Sequence, residues 1–295
     1  MKLFCLNLLL VVVLSKPINS AISPQRIFNY SHPLIVIGLP KSGTTSVTEL
    51  LNLFNIEAVH QFFSMYNCRE IWPVPAVVVD NGMKWRRIRY PTHKCFIGEL
   101  IQLAIGEGKD PLFYIFEAGI FAVTQMDACY EIDVWPQIDA LPFFIKSYPN
   151  AYFVHTIRPN VSAHVNSILY WSDLAERMRI NGQLSRFDGQ SKENSIQENL
   201  EIFVKQSTEI IRSRFHAHPE VKYIEVSASD PHSGKRLADF LGIDVPDDFR
   251  MPHANVGTYG AVKKPVPLLE YLGLRSHVLK TTKMKPQRSP FGTRH

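Results

Sequence analysis

Short apolar runs alternate along the chain with segments whose apolar positions recur at helical spacing. Leu34–Ile37 is a continuous apolar run, as expected for a strand buried on both faces of a parallel sheet. It enters the turn Gly38–Gly43, after which Val47, Leu50, Leu51 and Phe54 fall on one helical face. Glu57–His60 predicts a second short strand, and Ile97–Ile105 a helix ending near Gly106 and Gly108. Leu112–Phe116 and Phe121–Thr124 are apolar segments that suit strand or helix equally. Leu141–Tyr148 predicts a helix and Tyr152–Ile157 the clearest strand after the first. Val161–Met178 predicts one long helix carrying Tyr170 and Trp171, followed by a polar loop or mobile lid over Gly182–Asn194. A helix over Ser195–Phe215, a strand over Val221–Val226 and a helix over Gly234–Leu241 complete the pattern. Strands separated by helices imply an α/β fold, three layers deep, with a central parallel sheet covered on both faces.

The two ends depart from this pattern. Lys2 precedes an apolar stretch from Leu3 to Leu14, and small residues stand at Ser20 and Ala21, so residues 1–20 read as a secretory signal peptide. A retained type II signal anchor is the alternative, although a span needs about 20 apolar residues. Beyond the leader no stretch is apolar enough for a stable membrane span. Residues 271–295 are basic and free of acidic side chains, which predicts a solvated, disordered tail. The folded domain then covers residues 21–270.

Composition narrows the class. Of 295 residues, 45% are hydrophobic and 20% charged, which excludes a disordered or collagen-like chain. The net charge is +5, but six of the 32 basic residues lie after Glu270 and two, Lys2 and Lys16, in the leader. The remaining 24 face 27 acidic residues, so the body is slightly acidic and no nucleic-acid footprint is expected. Entry into an oxidising lumen leaves Cys68, Cys95 and Cys129, enough for one disulfide and one free thiol. None of them has zinc-ligand spacing, and no metal site is expected. The sequons beginning at Asn29 and Asn160 suit a glycoprotein of that compartment.

The sharpest chemical signal is Gly38-Leu-Pro-Lys-Ser-Gly43-Thr-Thr, between the first strand and the first helix. It has the glycine spacing of a P-loop without the terminal Lys-Ser/Thr, the lysine standing inside the loop as Lys41. A tight turn feeding a helix N-terminus presents amide N–H groups to a phosphate, and Lys41, Thr44 and Thr45 add donors. A plain strand–turn–helix corner is the non-functional alternative. Arg158 follows the strand Tyr152–Ile157, at the strand end where open α/β sheets bind ligands.

Pro40-Lys-Ser-Gly-Thr-Thr45 resembles the 5′-phosphosulfate loop of the sulfotransferases that use PAPS (3′-phosphoadenosine 5′-phosphosulfate). The resemblance extends over about residues 33 to 257. It includes Gly108–Leu112, Thr124–Asp127, Trp135–Gln137, and Leu237–Gly242 followed by Met251–Asn255. It implies a P-loop-like sulfotransferase fold, with Lys41, Ser42, Gly43, Thr44, Thr45 and Ser46 around the 5′-phosphosulfate. Lys41 is then implied to stabilise the bridging oxygen, and Arg158 with a helix serine to bind the 3′-phosphate. The family places that serine eight residues after the arginine. Here position eight is Asn166 and Ser167 is ninth, so either side chain could serve. The Met251–Asn255 segment is implied either to reach the 3′-phosphate or simply to pack on the core.

An acceptor hydroxyl must lose its proton as it attacks, so a base is required. The family pattern implies His60, at the end of the second strand. Asp127, Asp133 and Glu117 are rivals. For the acceptor, Lys84–Tyr90 interleaves cations with aromatics, which suits an acidic glycan or, equally, a solvated helix face. The expected activity is transfer of the sulfuryl group from PAPS to a hydroxyl on a carbohydrate or another secretory-pathway substrate, in the Golgi lumen or after secretion. Two alternatives remain open. One is a sulfotransferase-like binding protein without catalysis. The other is an ATP-dependent kinase-like enzyme, disfavoured because no lysine follows Gly43 and no clear strand-end aspartate is present to hold Mg²⁺.

Overall fold

A computed structural model describes residues 28–63, 79–80, 83–84, 95–127, 135–171 and 174–254. The elements, in chain order, are β1 (Leu34–Val36), α1 (Thr44–Leu53), β2 (Val59–His60), β3 (Phe62–Phe63), β4 (Val79–Asp80), β5 (Met83–Lys84) and β6 (Cys95–Phe96). They continue with α2 (Ile97–Gly106), α3 (Phe113–Phe116), β7 (Ala122–Gln125), α4 (Pro136–Asp139), α5 (Leu141–Ser147) and β8 (Tyr152–Thr156). The last are α6 (Val161–Leu169), α7 (Leu174–Ile180), α8 (Ile196–His216), β9 (Lys222–Val226) and α9 (Ser233–Phe240).

Among the described residues one seven-stranded sheet runs in the order β6-β3-β2-β7-β1-β8-β9. β2, β7, β1, β8 and β9 are parallel, while β3 and β6 add antiparallel pairs at one edge. The side-chain period of two along each strand sorts the core into two layers. Leu34, Val36 and Val154 pack with Val47, Leu50 and Leu51 of α1 and Leu237 of α9. Ile35, Ile37 and Phe153 face the other way, onto α2, α5 and α8 through Ile101, Phe144 and Ile211. The fold is therefore the expected α/β sandwich with helices on both faces. β1 sits where the chain switches from filling one side of the sheet to filling the other. Such a switch point opens a crevice beyond the carboxyl ends of the strands.

Two expectations are corrected. The predicted long helix is two: α6 stops at Leu169, and α7 starts at Leu174. The 182–194 segment is anchored rather than a mobile lid. Leu184 is buried, Asn199 of α8 accepts from Ser191 N and donates to Ser191 O, and Gln190 donates to Asn199 O. Ser195 and Glu198 then form a reciprocal capping box that starts α8. The ambiguous segments resolve as helix over Phe113–Phe116 and strand over Ala122–Gln125. Cys95 is disulfide-bonded. Cys68 and Cys129, residues 1–27, residues 255–295 with the predicted tail, and the Trp85–Tyr90 part of the basic-aromatic segment lie outside the described residues.

Candidate active site

The loop after β1 is held from below by its own side chains. Gly38 has no room for a side chain, since a Cβ there would lie 1.7 Å from Thr156 Oγ1. Ser42 uses that closeness: its Oγ donates to Leu39 O at 2.6 Å and lies 2.6 Å from Thr156 Oγ1 on β8. Lys41 has a left-handed backbone, φ 66°, and Gly43 caps α1 at φ 117°. Thr44 donates to Gln125 Oε1 at 3.1 Å, and Gln125 donates on to Asp127 Oδ2 at 3.3 Å. Ser46 accepts from Ala254 N at 3.3 Å. Ser42, Thr44 and Ser46 are thus turned inward, where they shape the loop. The Ser42 N–H is committed as well, donating to Leu39 O at 3.1 Å, so the donors left for a bound anion are the first-turn amides of α1, which have no intrahelical partner. Of the loop side chains, Lys41 and Thr45 are the ones left partly exposed.

Two cations converge above this turn. Arg158 lies two residues past β8 and is exposed; partial desolvation lowers its pKa, but a guanidinium stays charged. Burial, and then the charge of Arg158, push the Lys41 ammonium down to about 8. Among the described residues neither cation has a carboxylate partner. Lys41 Nζ instead sits 3.3 Å from the centre of the Trp171 ring. A cleft beside Arg158 continues along α8 past Lys205 and Thr208.

Helix α6 supplies the wall next to Arg158. Asn160 caps it by accepting from Ala163 N at 3.0 Å. His164 is buried, and its Nε2 lies 2.8 Å from Pro40 O, so Nε2–H donates to the loop. Burial is the main cause holding His164 down at about 4, and it is neutral near pH 7. Ser167, one turn on, shares that face and is partly buried, whereas Asn166 points away and is exposed. The sequence reading missed His164. Its clue was position: three residues before Ser167 on a helix starting just after Arg158.

On the other side, β2 ends in His60. Its Nδ1 lies 3.1 Å from Thr48 Oγ1 and 3.0 Å from Thr124 Oγ1, while its Nε2 is 3.5 Å from Thr45 Oγ1 in the first turn of α1. Burial pushes His60 down to about 4, so it too is neutral at physiological pH. Of its rivals, Asp127 is buried just past the carboxyl end of β7 and tied to Gln125. Asp127, named from the sequence as a rival base, is thus also an aspartate at a strand end, which corrects the expectation that no clear strand-end aspartate is present. Glu117 caps α3 before β7 begins, at the opposite end of the strands, and the fold does not bring it to the site. Asp133 lies outside the described residues. Met251 is buried against the α1 layer, and with Ala254 on Ser46 the 251–254 segment packs on the core behind the loop. Among the described residues no group of three or more His, Cys, Asp or Glu could hold a metal ion, and no helix is long and apolar enough to cross a membrane.

The arrangement is a helix N-terminus with two cations that have no carboxylate partner among the described residues on one flank and a neutral imidazole on the other. It is equipped to hold a multiply charged anion and to accept a proton beside it. No curated protein sequence matches the chain. A family model described as the sulfotransferase family matches residues 33–247, from the residue before β1 to beyond α9. That stretch contains the loop, both flanks and well over half of the chain, which therefore belongs to the sulfotransferase family.

Proposed function

We propose that the chain transfers the sulfuryl group of PAPS to an acceptor hydroxyl on a carbohydrate or another secretory-pathway substrate. The observation that carries this reading is the pair Lys41 and Arg158. The two cations approach closely enough for Arg158 to lower the Lys41 pKa, and neither is neutralised by a described carboxylate. Bringing like charges together without a counter-ion costs free energy that a bound dianion would recover. PAPS would supply an activated sulfuryl group on its 5′-phosphate and a second phosphate at the 3′ position.

In this reading the first-turn amides of α1 and Lys41 hold the 5′ end. Arg158 holds the 3′-phosphate with Ser167, which faces the loop as Asn166 does not. Lys41 leaves the Trp171 ring to meet the charge that develops on the bridging oxygen, where electrostatic stabilisation contributes most. Ser42, Thr44, Ser46 and His164 keep the loop in shape. His60 takes the acceptor proton. Placement in the Golgi lumen or outside the cell rests on the leader and on the exposure of both sequon asparagines, Asn29 and Asn160.

Incubation of the purified chain with ³⁵S-PAPS and a panel of hydroxyl-bearing glycans tests the reading. Label in sulfate esters with the wild-type chain, lost in Lys41→Ala, is the expected result. Nucleotide binding without label transfer to any acceptor would make the chain a binding protein instead.

A further inference from the structure

Five short contacts meet behind His60, and their protons can be counted. Thr48 Oγ1 lies 3.0 Å from Thr44 O and 2.7 Å from Thr124 Oγ1, and Thr124 Oγ1 lies 3.1 Å from Val59 O. His60 Nδ1 lies 3.1 Å from Thr48 Oγ1 and 3.0 Å from Thr124 Oγ1. Carbonyls only accept, and each hydroxyl has one proton to give. The two hydroxyls and Nδ1 form a closed triangle of three contacts. If Nδ1 were bare, two hydroxyl protons would have to serve all three sides, and at least one side would set lone pair against lone pair. Neither carbonyl would then be served unless a second side were left without a proton. If Nδ1 carries a proton, it is shared between the two hydroxyls. Thr48 then donates to Thr124, and Thr124 donates to Val59 O. Four of the five contacts gain a proton, including the shortest.

We propose that Thr48 and Thr124 are positioning residues that hold His60 as its Nδ1–H tautomer, leaving the Nε2 lone pair directed at the phosphate-binding loop. A neutral imidazole has one donor nitrogen and one acceptor nitrogen, so fixing the first fixes the second. The second stands at the edge of the first turn of α1, 3.5 Å from Thr45 Oγ1. The tautomer follows from the contacts alone; its use in catalysis rests on the proposed sulfuryl transfer. There the acceptor O–H bond breaks and its proton passes to Nε2. The acceptor oxygen bonds to sulfur, and the bond from sulfur to the bridging oxygen breaks with its electron pair leaving on the 5′-phosphate. An Nε2–H tautomer would present a proton where one must be received.

The test is ¹⁵N-edited NMR of the full chain with labelled histidine, the His60 ring being identified by its loss in His60→Gln. The expected spectrum has a protonated Nδ1 and an unprotonated Nε2 in the wild type and in Thr124→Ser, which keeps the hydroxyl. Thr124→Val, nearly the same shape without the hydroxyl, shifts the ring towards the Nε2–H form. In PAPS turnover Thr124→Val lowers kcat by about tenfold to a hundredfold, no more than the low end of the roughly 10² to 10⁴ that a positioned base contributes, with KM for PAPS unchanged. Thr124→Ser restores kcat. A wild-type Nε2–H signal overturns the proposal even if Thr124→Val fails to fold, and so does a tautomer unmoved in a folded Thr124→Val. An Nδ1–H ring in a chain that transfers no sulfate upholds the tautomer and removes the proposed function instead.

Discussion

The two flanks of the loop after β1 are built from different chemistry. The β8–α6 flank is cationic and open: Arg158 is exposed, Lys41 leans on Trp171, and Lys205 lines the cleft beyond. At His60 the β2–β7 flank is an uncharged imidazole among hydroxyls and carbonyls, while Asp127, buried past the end of β7, is tied to Gln125. Each flank also contains a histidine near the loop, used differently. His164 spends its Nε2–H on Pro40 and so fixes the loop's shape. His60 is held from behind through Nδ1, and its other nitrogen is directed forward. In the proposed reaction the difference separates two tasks that a sulfuryl transfer requires, anion capture on one side and proton removal on the other. A charged imidazole would be a liability there, since a protonated ring cannot accept.

Substitutions should expose this division. The largest effect is expected at Lys41, the cation proposed to serve the reacting end. Lys41→Ala should lower turnover by at least about a hundredfold, comparable to removing one preorganised oxyanion donor. Its affinity for adenosine 3′,5′-bisphosphate (PAP), measured by titration, should fall much less. Near-wild-type turnover would remove Lys41 from the reaction. Next comes Arg158→Ala, which removes a charge-assisted contact worth about 1.5–3 kcal/mol and should weaken PAP binding by about tenfold to a hundredfold. Binding of the 3′-dephospho nucleotide should hardly change, and an equal loss for both would place Arg158 elsewhere.

The two histidines predict an acid-side loss of stability. Both fall from 6.5 to about 4 in the folded chain, so between those values the unfolded chain binds more protons. Stability is therefore full above about pH 6.5 and declines as the pH falls towards 4, by up to about 1.4 kcal/mol per pH unit for each histidine. Thermal unfolding from pH 7 to pH 4.5 should show a falling Tm, with a shallower fall in His164→Gln; a Tm flat across that range would contradict the burial argument. The smallest effect distinguishes neighbours on α6. Ser167→Ala should cost PAP binding about 1 kcal/mol, one hydrogen bond, and Asn166→Ala nothing measurable.

Much of this frame was readable in the sequence because its signals are local. The run Leu34–Ile37, the glycines and the helical spacing after Gly43 place the loop without tertiary knowledge. Arg158 was readable because a strand end is a recognisable position. The division of α6 from α7 was not, since the apolar spacing continues across the break. Nor was the inward turn of Ser42, Thr44 and Ser46: hydroxyls beside a phosphate loop look like ligands until their partners, Thr156, Gln125 and Ala254, are known. Thr48 and Thr124 were invisible for the same reason, being 76 residues apart in the chain. Polar residues whose task is to hold other polar residues leave no periodic trace.

Calorimetric titration of the purified chain with PAP and with ATP, each with and without Mg²⁺, tests the cationic flank without needing the acceptor. The account predicts tight PAP binding that is indifferent to Mg²⁺, with ATP, which lacks a 3′-phosphate, bound weakly. Preference for ATP with Mg²⁺, or no binding of PAP, would contradict it.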